Sequence, residues 1–187
     1  VRVENDSIDL EIRMYEGDQA TIGKVSVKGN TKTNDHVVIR EMYTKPGQLF
    51  SRSDVIRTTR ELAALGYFNA ETLNPNIQPD PSDGTVDIEY VVEETSSDQI
   101  ELSAGWGYNK LILTLGLTLN NFSFRNMFKK GAWTPLPGGD GQKLSLRVQT
   151  LGTRYLYYGA SFTEPWLGGK KPNAFTASIY HSTYTTA

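Results

Sequence analysis

The most regular stretch of the chain alternates leucine with other residues between positions 111 and 119. Thr114, Gly116 and Thr118 separate the later leucines. This period of two is typical of a β-strand, whose successive side chains point to opposite faces. A leucine face of about bilayer-spanning length predicts a membrane strand, although a soluble sheet can also bury such a face. The residues expected to face lipid are Leu111, Leu113, Leu115, Leu117 and Leu119.

The segments around this leucine strand contain strand and turn patterns only. Alternation also begins at Ile100, Leu144, Leu156 and Phe175, with turn residues between the segments. We therefore predict that residues 100–187 form five antiparallel strands. Even the smallest membrane barrels need about eight strands, so the prediction is an incomplete, all-β transmembrane barrel.

Residues 17–95 instead mix strand and helix patterns. A strand ends at Gly29-Asn30, and Ile22 is out of phase with it, which indicates a bulge near Gly23. A short helix is expected to begin at Asn34, the residue type that caps helix N-termini. Its predicted buried stripe is Val38, Ile39 and Met42.

A second helix and two strands complete this region. Ser51 and Asp54 have the spacing of a capping box, and Gly66 supplies a left-handed end. The strand predicted over 68–77 carries Pro75, which indicates a sheet edge. The predicted order is β-α-α-β-β, an α+β module. The residues expected in its core are Val25, Val38, Val55, Ile56, Leu62, Val86, Ile88 and Tyr90.

A short internal match suggests that modules repeat along the chain. Residues 7–11 read Ser-Ile-Asp-Leu-Glu, and residues 85–89 read Thr-Val-Asp-Ile-Glu. If this match is a repeat and not a coincidence of common strand residues, residues 1–16 are the end of a preceding module. The chain starts inside a strand pattern with no signal peptide, so we expect a fragment of a longer exported protein.

Charge divides the chain at the same place as the patterns do. Residues 1–99 carry 10 Lys and Arg against 18 Asp and Glu, whereas residues 100–187 carry 9 against 3. The formal net charge is −2, which gives no reason to expect nucleic-acid binding. Cysteine is absent, which excludes disulfides and thiolate metal sites.

The chain contains no recognisable catalytic or metal motif. His36 and His181 lie in different regions, without a third ligand at metal spacing. The 138–141 stretch, Gly-Gly-Asp-Gly, lacks the lysine of a phosphate loop and predicts a flexible turn. We therefore expect no catalytic residue, no metal and no cofactor, and predict that the protein is not an enzyme.

Aromatic residues concentrate in the two long turns of the all-β region, near Arg125, Lys129, Lys130, Lys170 and Lys171. In a soluble protein they would be core with solvated charges nearby. Beside membrane strands they predict a girdle at the lipid headgroups. The predicted girdle residues are Phe122, Phe124, Phe128, Trp133 and Trp166.

Several motifs resemble those of the outer-membrane assembly family typified by BamA. The stretches at 16–17, 22–31, 39–40, 46–47 and 65–68 are similar to the POTRA signature in order and spacing. Residues 121–128, 130–131 and 164–169 resemble the first two periplasmic turns of its barrel. The insert at 132–141 makes the first of these turns longer than in the family.

The resemblance implies a division into the end of one POTRA repeat (1–16), a membrane-proximal POTRA domain (17–95) and the first five barrel strands (100–187). It implies an outer-membrane location, with the module in the periplasm. The implied function is the folding and insertion of client barrel proteins. The implied partners are unfolded outer-membrane proteins, accessory lipoproteins and outer-membrane lipid. The alternative is a POTRA-containing polypeptide-transport pore of the two-partner secretion type.

The first barrel strand is the expected client site, because an opened edge offers unpaired backbone groups to an incoming strand. It could also be an ordinary closure strand with lumen-facing glycines. The gate residues are Ile100, Leu102, Ala104, Gly105, Trp106, Gly107 and Tyr108. A second, periplasmic docking edge is expected at Phe68, Ala70, Thr72 and Leu73.

Overall fold

The computed structural model describes residues 2–4, 7–9, 11–14, 19–129, 131, 133 and 136–185. Its elements are β1 (Arg2–Glu4), β2 (Ser7–Asp9), β3 (Thr21–Lys28), α1 (Asp35–Ile39), α2 (Arg52–Ala64), β4 (Asn74–Asp80), β5 (Thr85–Val91), β6 (Gln99–Gly107), β7 (Lys110–Phe122), α3 (Phe124–Met127), β8 (Gln142–Leu151), β9 (Tyr155–Glu164) and β10 (Phe175–Tyr184). Within these ranges no helix is long and apolar enough to cross a membrane.

β1 and β2 form an antiparallel pair separate from the other two sheets. A three-stranded sheet follows in the order β3-β5-β4, with β3 parallel and β4 antiparallel to the central β5. The β3–β5 register shifts between Ile22 and Val25, which matches the bulge expected near Gly23. Residues 16–17 of the resemblance lie outside the described residues.

Helices α1 and α2 pack with this sheet around one core. Leu62, Val38 and Tyr90 are fully buried, and Val55, Val86 and Ile88 are nearly so. Ser51 caps α2 by accepting a hydrogen bond from the Asp54 N–H at 3.4 Å. Gly66 ends the helix region with φ +72°, as its sequence position predicts. Alternate residues of β5 therefore provide the floor of a core that the helices cover.

Three details of this module differ from the prediction. Ile39 is 57% exposed and Ile56 is 44% exposed, so neither belongs to the buried stripe. Val37 and Thr58 are buried in their place. The face that each helix buries is therefore centred away from Ile39 and Ile56.

The edge strand also starts later than predicted. β4 begins at Asn74, and not near Phe68. Phe68 is 2% exposed and forms only an isolated antiparallel bridge with Glu94. The Phe68 side chain, although of a type that favours strands, packs in the core. Residues 69–72 form a turn that leads into β4.

The five remaining strands form one antiparallel sheet in the order β10-β9-β8-β7-β6. Each strand pairs with its neighbour in the sequence. The β6–β7 hairpin turns at Tyr108 and Asn109, whose φ angles are 50° and 56°. Lys110 already pairs with Gly107, so the turn consists of these two residues alone.

The register of this sheet separates its two faces. One cross-strand row joins Leu102, Leu115, Val148 and Tyr158. The next row, on the other face, joins Glu101, Gly116, Arg147 and Gly159. We call these the apolar face and the polar face of the sheet. On the apolar face Leu111, Leu113 and Leu115 are exposed, Leu117 is half-buried and Leu119 is buried.

Candidate functional site

The first strand of the large sheet, β6, has a single neighbour among the described residues. It pairs with β7 over its whole length, from Gln99 to Gly107, and its other edge carries no partner strand there. Six of the seven predicted gate residues lie in this strand, whereas Tyr108 lies in the following turn. Every described side chain from 99 to 106 is exposed.

Two glycines reduce the packing of β6. A side chain at Gly105 would meet no atom within 4 Å, and one at Gly107 would meet only the tip of Ile112.

On the polar face, Glu101 and Arg147 reach across Gly116 to form an ion pair at 3.5 Å. This pair links β6 to β8 over the intervening strand, and Gly116 leaves room for the Glu101 side chain to cross it.

The edge of the smaller sheet has a different character. β4 carries Pro75 and Pro79, which alternate with Ile77 and so direct their backbone nitrogens to the same side. The ladder with β5 is continuous from Asn74 to Asp80. Because proline donates no hydrogen bond, these nitrogens must point away from β5. The outer edge of β4 therefore retains one N–H donor, that of Ile77.

The four residues expected to form a docking edge are not in this strand. Phe68 and Leu73 are buried in the core, so their side chains are not available to a partner. Ala70 and Thr72 are exposed in the turn that precedes β4. The Thr72 hydroxyl donates to the Asn69 carbonyl at 3.3 Å within that turn.

The aromatic residues of the first long turn form a cluster at one end of the large sheet. The β7–β8 register shifts between Leu119 and Phe122, which places one extra residue in β7. The bulge brings Phe122 into edge-to-face contact with Phe162, at 6.4 Å between ring centroids. Phe124 contacts both Phe162 and Phe128.

Trp133 lies beside this cluster, and its indole N–H donates to the Met127 carbonyl at 3.3 Å. Trp166 has a different environment. Its indole N–H donates to Glu41 Oε1 at 2.7 Å, and the Arg40 guanidinium lies 5.7 Å from its ring. Trp166 therefore contacts the α+β module, whereas the sequence places it in the girdle.

The 138–141 turn also contacts the module and is buried, not the flexible turn that its composition predicts. Asp140 is 6% exposed and accepts hydrogen bonds from Asn34 Nδ2 at 2.8 Å and Ser123 Oγ at 2.6 Å. His36 Nε2 lies 3.6 Å from the same carboxylate. Asn34 thus uses its amide to bind Asp140, and makes no side-chain cap to α1.

Neighbouring residues extend this junction. Asn121 donates to Thr33 Oγ1 at 2.8 Å and accepts from the Gly141 N–H at 2.9 Å. The Tyr67 hydroxyl donates to the Gly141 carbonyl at 3.2 Å, and burial raises the pKa of Tyr67 to about 12. The insert at 132–141 therefore contributes a turn that joins the module to the base of the sheet.

The half-buried carboxylate of Glu94 holds the segment that leads from the module to β6. Glu94 accepts hydrogen bonds from the backbone N–H groups of Thr31, Lys32 and Thr33 at 3.0, 2.7 and 2.6 Å. Burial alone would raise the pKa of Glu94, but these bonds and the Thr31 hydroxyl lower it overall. The link to β6 is thus held to the loop after β3.

Sequence reasoning missed the junction because its partners are far apart in the chain. Asn34 and Asp140 are 106 residues apart, and Glu41 and Trp166 are 125 apart. The available signal for Asp140 is that it is one of only three acidic residues, with Glu101 and Glu164, among nine basic ones in the last 88 residues.

The POTRA family, described as a surface antigen variable number repeat, matches residues 20–95. An assembly factor BamA from Neisseria meningitidis is 27% identical over 169 residues, which are 87% of this chain and 18% of that protein. A putative outer membrane protein assembly factor from Treponema pallidum is 33% identical over 95 residues, or 51% of this chain and 11% of that protein. The chain thus spans less than a fifth of either relative.

Two solved structures resemble this fold. BamA from Haemophilus ducreyi lacking POTRA domains 1–3 superposes with a TM-score of 0.71 at 25% identity, covering 90% of this chain and 28% of that one. CdiB from Acinetobacter baumannii superposes with a TM-score of 0.53 at 14% identity, covering 90% and 30%. The likeness to CdiB concerns the fold alone.

Proposed function

We propose that β6 is a template for client strands. The chain resembles the BamA-type outer-membrane assembly factors and carries a POTRA domain at 20–95. The chain has the outer-membrane location of these relatives, with its POTRA domain in the periplasm. On this proposal the protein folds and inserts barrel proteins. Its clients are unfolded outer-membrane proteins, which pair with β6 through their backbone.

The position of β6 as the first strand of the large sheet, directly after the POTRA domain, is the observation that supports this proposal. In hydrocarbon each unsatisfied backbone group costs several kcal/mol, so an edge next to lipid strongly favours pairing. Backbone pairing tolerates many client sequences, since the bonds do not depend on side chains. The glycines at 105 and 107 leave room for a client side chain above the strand.

The POTRA edge suits this role less well. Pro75 and Pro79 remove two of the three outward donors of β4, so we expect weak strand addition there. For accessory lipoproteins we retain a contact at the exposed Ala70 and Thr72 as a proposal. Photocrosslinking from positions 70 and 72 tests it: adducts with lipoproteins support the contact, and their absence at both positions in an assembly-competent strain contradicts it.

A transport pore of the two-partner secretion type is the competing function. The CdiB fold is compatible with it, but the 14% identity is below the 25% shared with the Haemophilus BamA. The two functions place the substrate differently. A template holds its client at the edge of β6, whereas a pore passes its substrate along the whole polar face.

Single cysteines distinguish these possibilities, since the chain has none of its own. Ser103 in β6 and Ser145 in β8 both lie on the polar face, and β8 is paired on both sides. We would introduce Ser103→Cys or Ser145→Cys into the full-length protein, in a background without other reactive cysteines. Disulfide trapping with a cysteine-labelled, arrested barrel substrate is the measurement.

Templating predicts adducts with Ser103→Cys and few with the control Ser145→Cys. Equal adducts at both positions would favour a pore and contradict templating. A lack of adducts at Ser103→Cys, at positions 101 and 105, and throughout β6 in a functional strain would also reject it. Loss of function in the cysteine variants is checked through the assembly of native barrel proteins.

A further inference from the structure

A groove of about 690 Å³ lies at the POTRA end of the large sheet, where the aromatic cluster meets the second turn. Its apolar lining comes from four separate segments of the chain. The apolar residues that line it include Phe122, Phe124, Met127, Phe162, Leu167 and Phe175. Leu144 also lines it and begins the apolar row of β8, so the groove continues the apolar face of the sheet.

The floor of the groove is fixed by a small polar network. Gln142 donates to Glu164 Oε2 at 2.8 Å and accepts from the Phe124 N–H at 2.7 Å. Glu164 Oε1 also accepts from the Trp166 N–H at 3.1 Å. The carboxylate is therefore occupied by its own neighbours, and what the groove offers a ligand is mainly hydrocarbon and aromatic surface.

Two basic segments lie close in sequence to lining residues of this groove. Arg125 and Lys129 belong to α3 and the residues just after it, beside the lining residues Phe124 and Met127. Lys170 and Lys171 project from a loop that the Leu167 N–H closes at its base by donating to the Asn173 carbonyl at 2.9 Å. Within the described residues none of these four cations forms an ion pair with a carboxylate.

We propose that this groove binds one anionic glycerophospholipid of the periplasmic leaflet, with an acyl chain on the aromatic lining and the phosphate at these four cations. The groove lies at the POTRA end of the sheet, which is the periplasmic side, and opens onto the face directed to lipid. Apolar surface below and unpaired cations at headgroup depth match the two halves of a phospholipid. The preformed ring contacts of Phe122 and Phe124 reduce the ordering needed on binding.

The experiment uses the full-length protein in nanodiscs of phosphatidylcholine with a minor fraction of phosphatidylglycerol that carries a photoactivatable acyl chain. The test variant is Lys170→Gln with Lys171→Gln, which removes charge from the loop. Its control is Lys110→Gln with Lys143→Gln, which removes the same charge elsewhere. Lys143 is a matched position because it lies between Gln142 and Leu144 but points to the other face.

We expect crosslinks in peptides containing 122–127 and 162–175 of the parent protein. Each lysine near a membrane surface contributes about 1 kcal/mol toward an anionic headgroup, so the test variant should bind at least about tenfold less phosphatidylglycerol. The control should retain parental binding. A Leu167→Asn variant, which adds a polar group to the groove with every cation retained, should lose acyl crosslinks as well.

Three results would overturn the proposal. Equal phosphatidylglycerol retention by test and control variants is one. Equal crosslinking by a photoactivatable phosphatidylcholine, unaffected by Lys170 and Lys171, is another. The third is occupation of the groove by a client polypeptide in place of lipid. Heat-modifiable migration verifies that each variant is folded, and a single Lys171→Gln variant replaces the double variant if that one does not fold. The outcome is independent of client binding at β6.

Discussion

The POTRA domain and the large sheet use the same alternating pattern, but only in the first is the apolar side covered by helices. Val86, Ile88 and Tyr90 alternate along β5 and are covered by two helices. Leu111, Leu113 and Leu115 alternate along β7 and are 44–53% exposed in the protein alone. A strand pattern therefore specifies which side is apolar, and the rest of the chain determines whether helices cover that side or leave it exposed.

The largest change in stability is expected in the core of the POTRA domain. Leu62→Ala should cost about 2–5 kcal/mol of unfolding free energy, because it removes a fully buried side chain. Urea unfolding of residues 17–95, which we predict to fold alone, is the measurement. Ile56→Ala on the exposed side of the same helix is the control and should cost less than about 1 kcal/mol. Equal midpoints for the two variants would contradict the assigned core.

The next largest effect is expected on the apolar face of the barrel strands. Leu115→Arg should destabilise the full-length barrel by about 2–4 kcal/mol, since it places a charge in hydrocarbon. Ser103→Arg lies on the polar face at a similar depth and should be milder. Folding equilibria in lipid vesicles would measure both. A cost for Ser103→Arg as large as that for Leu115→Arg would invert the assignment of the faces.

The junction between the two regions should show a smaller effect. Asp140→Ala leaves the buried Ser123 hydroxyl and the more exposed Asn34 amide without their acceptor, at a cost of about 1–3 kcal/mol. The two regions should then separate more often, and proteases should cut the 95–98 link faster in the full-length protein. The control is Asp83→Ala, in an exposed turn of the POTRA domain. Equal cleavage rates in the two variants would show that Asp140 does not hold the junction.

The smallest effect concerns the acid stability of the POTRA domain. The pKa of Glu94 is below its ordinary value of 4.5 in the folded state. Its stabilising contribution is therefore complete above that value and is lost as the pH falls through the lower, folded-state pKa. Glu94→Gln should flatten the loss of stability below about pH 4.5. Identical pH profiles for parent and variant would remove Glu94 as a cause.

The sequence predicts those parts of the fold whose signals are local. The α2 cap at Ser51, its end at Gly66 and the buried side of β5 all lie within a few residues of their causes. The strand order of the large sheet is equally predictable from the sequence, since each strand pairs with its sequence neighbour. The predicted start of β4 was wrong because Phe68, a residue type that favours strands, packs in the core before the strand begins.

The candidate sites were less predictable. The edge position of β6 follows from its being the first strand of its sheet, so six of its seven residues are correctly placed in a strand. Trp166 and Asp140 depend on partners more than a hundred residues away, and no local pattern indicates such contacts. The bulge at the end of β7, which directs Phe122 into the groove, is likewise decided by pairing with β8.

In the large sheet every strand pairs with its neighbours in the sequence, and this order affects how fast the sheet can fold. Each pairing from β6 to β10 joins strands that are consecutive in the sequence, and the first closes through the two-residue turn at Tyr108 and Asn109. Short closures cost little entropy, and single hairpins form within about 1–10 μs. The sheet can therefore grow one hairpin at a time from the POTRA side, before distant strands have to find each other. Its slow step is then expected to be the final long-range closure of the barrel.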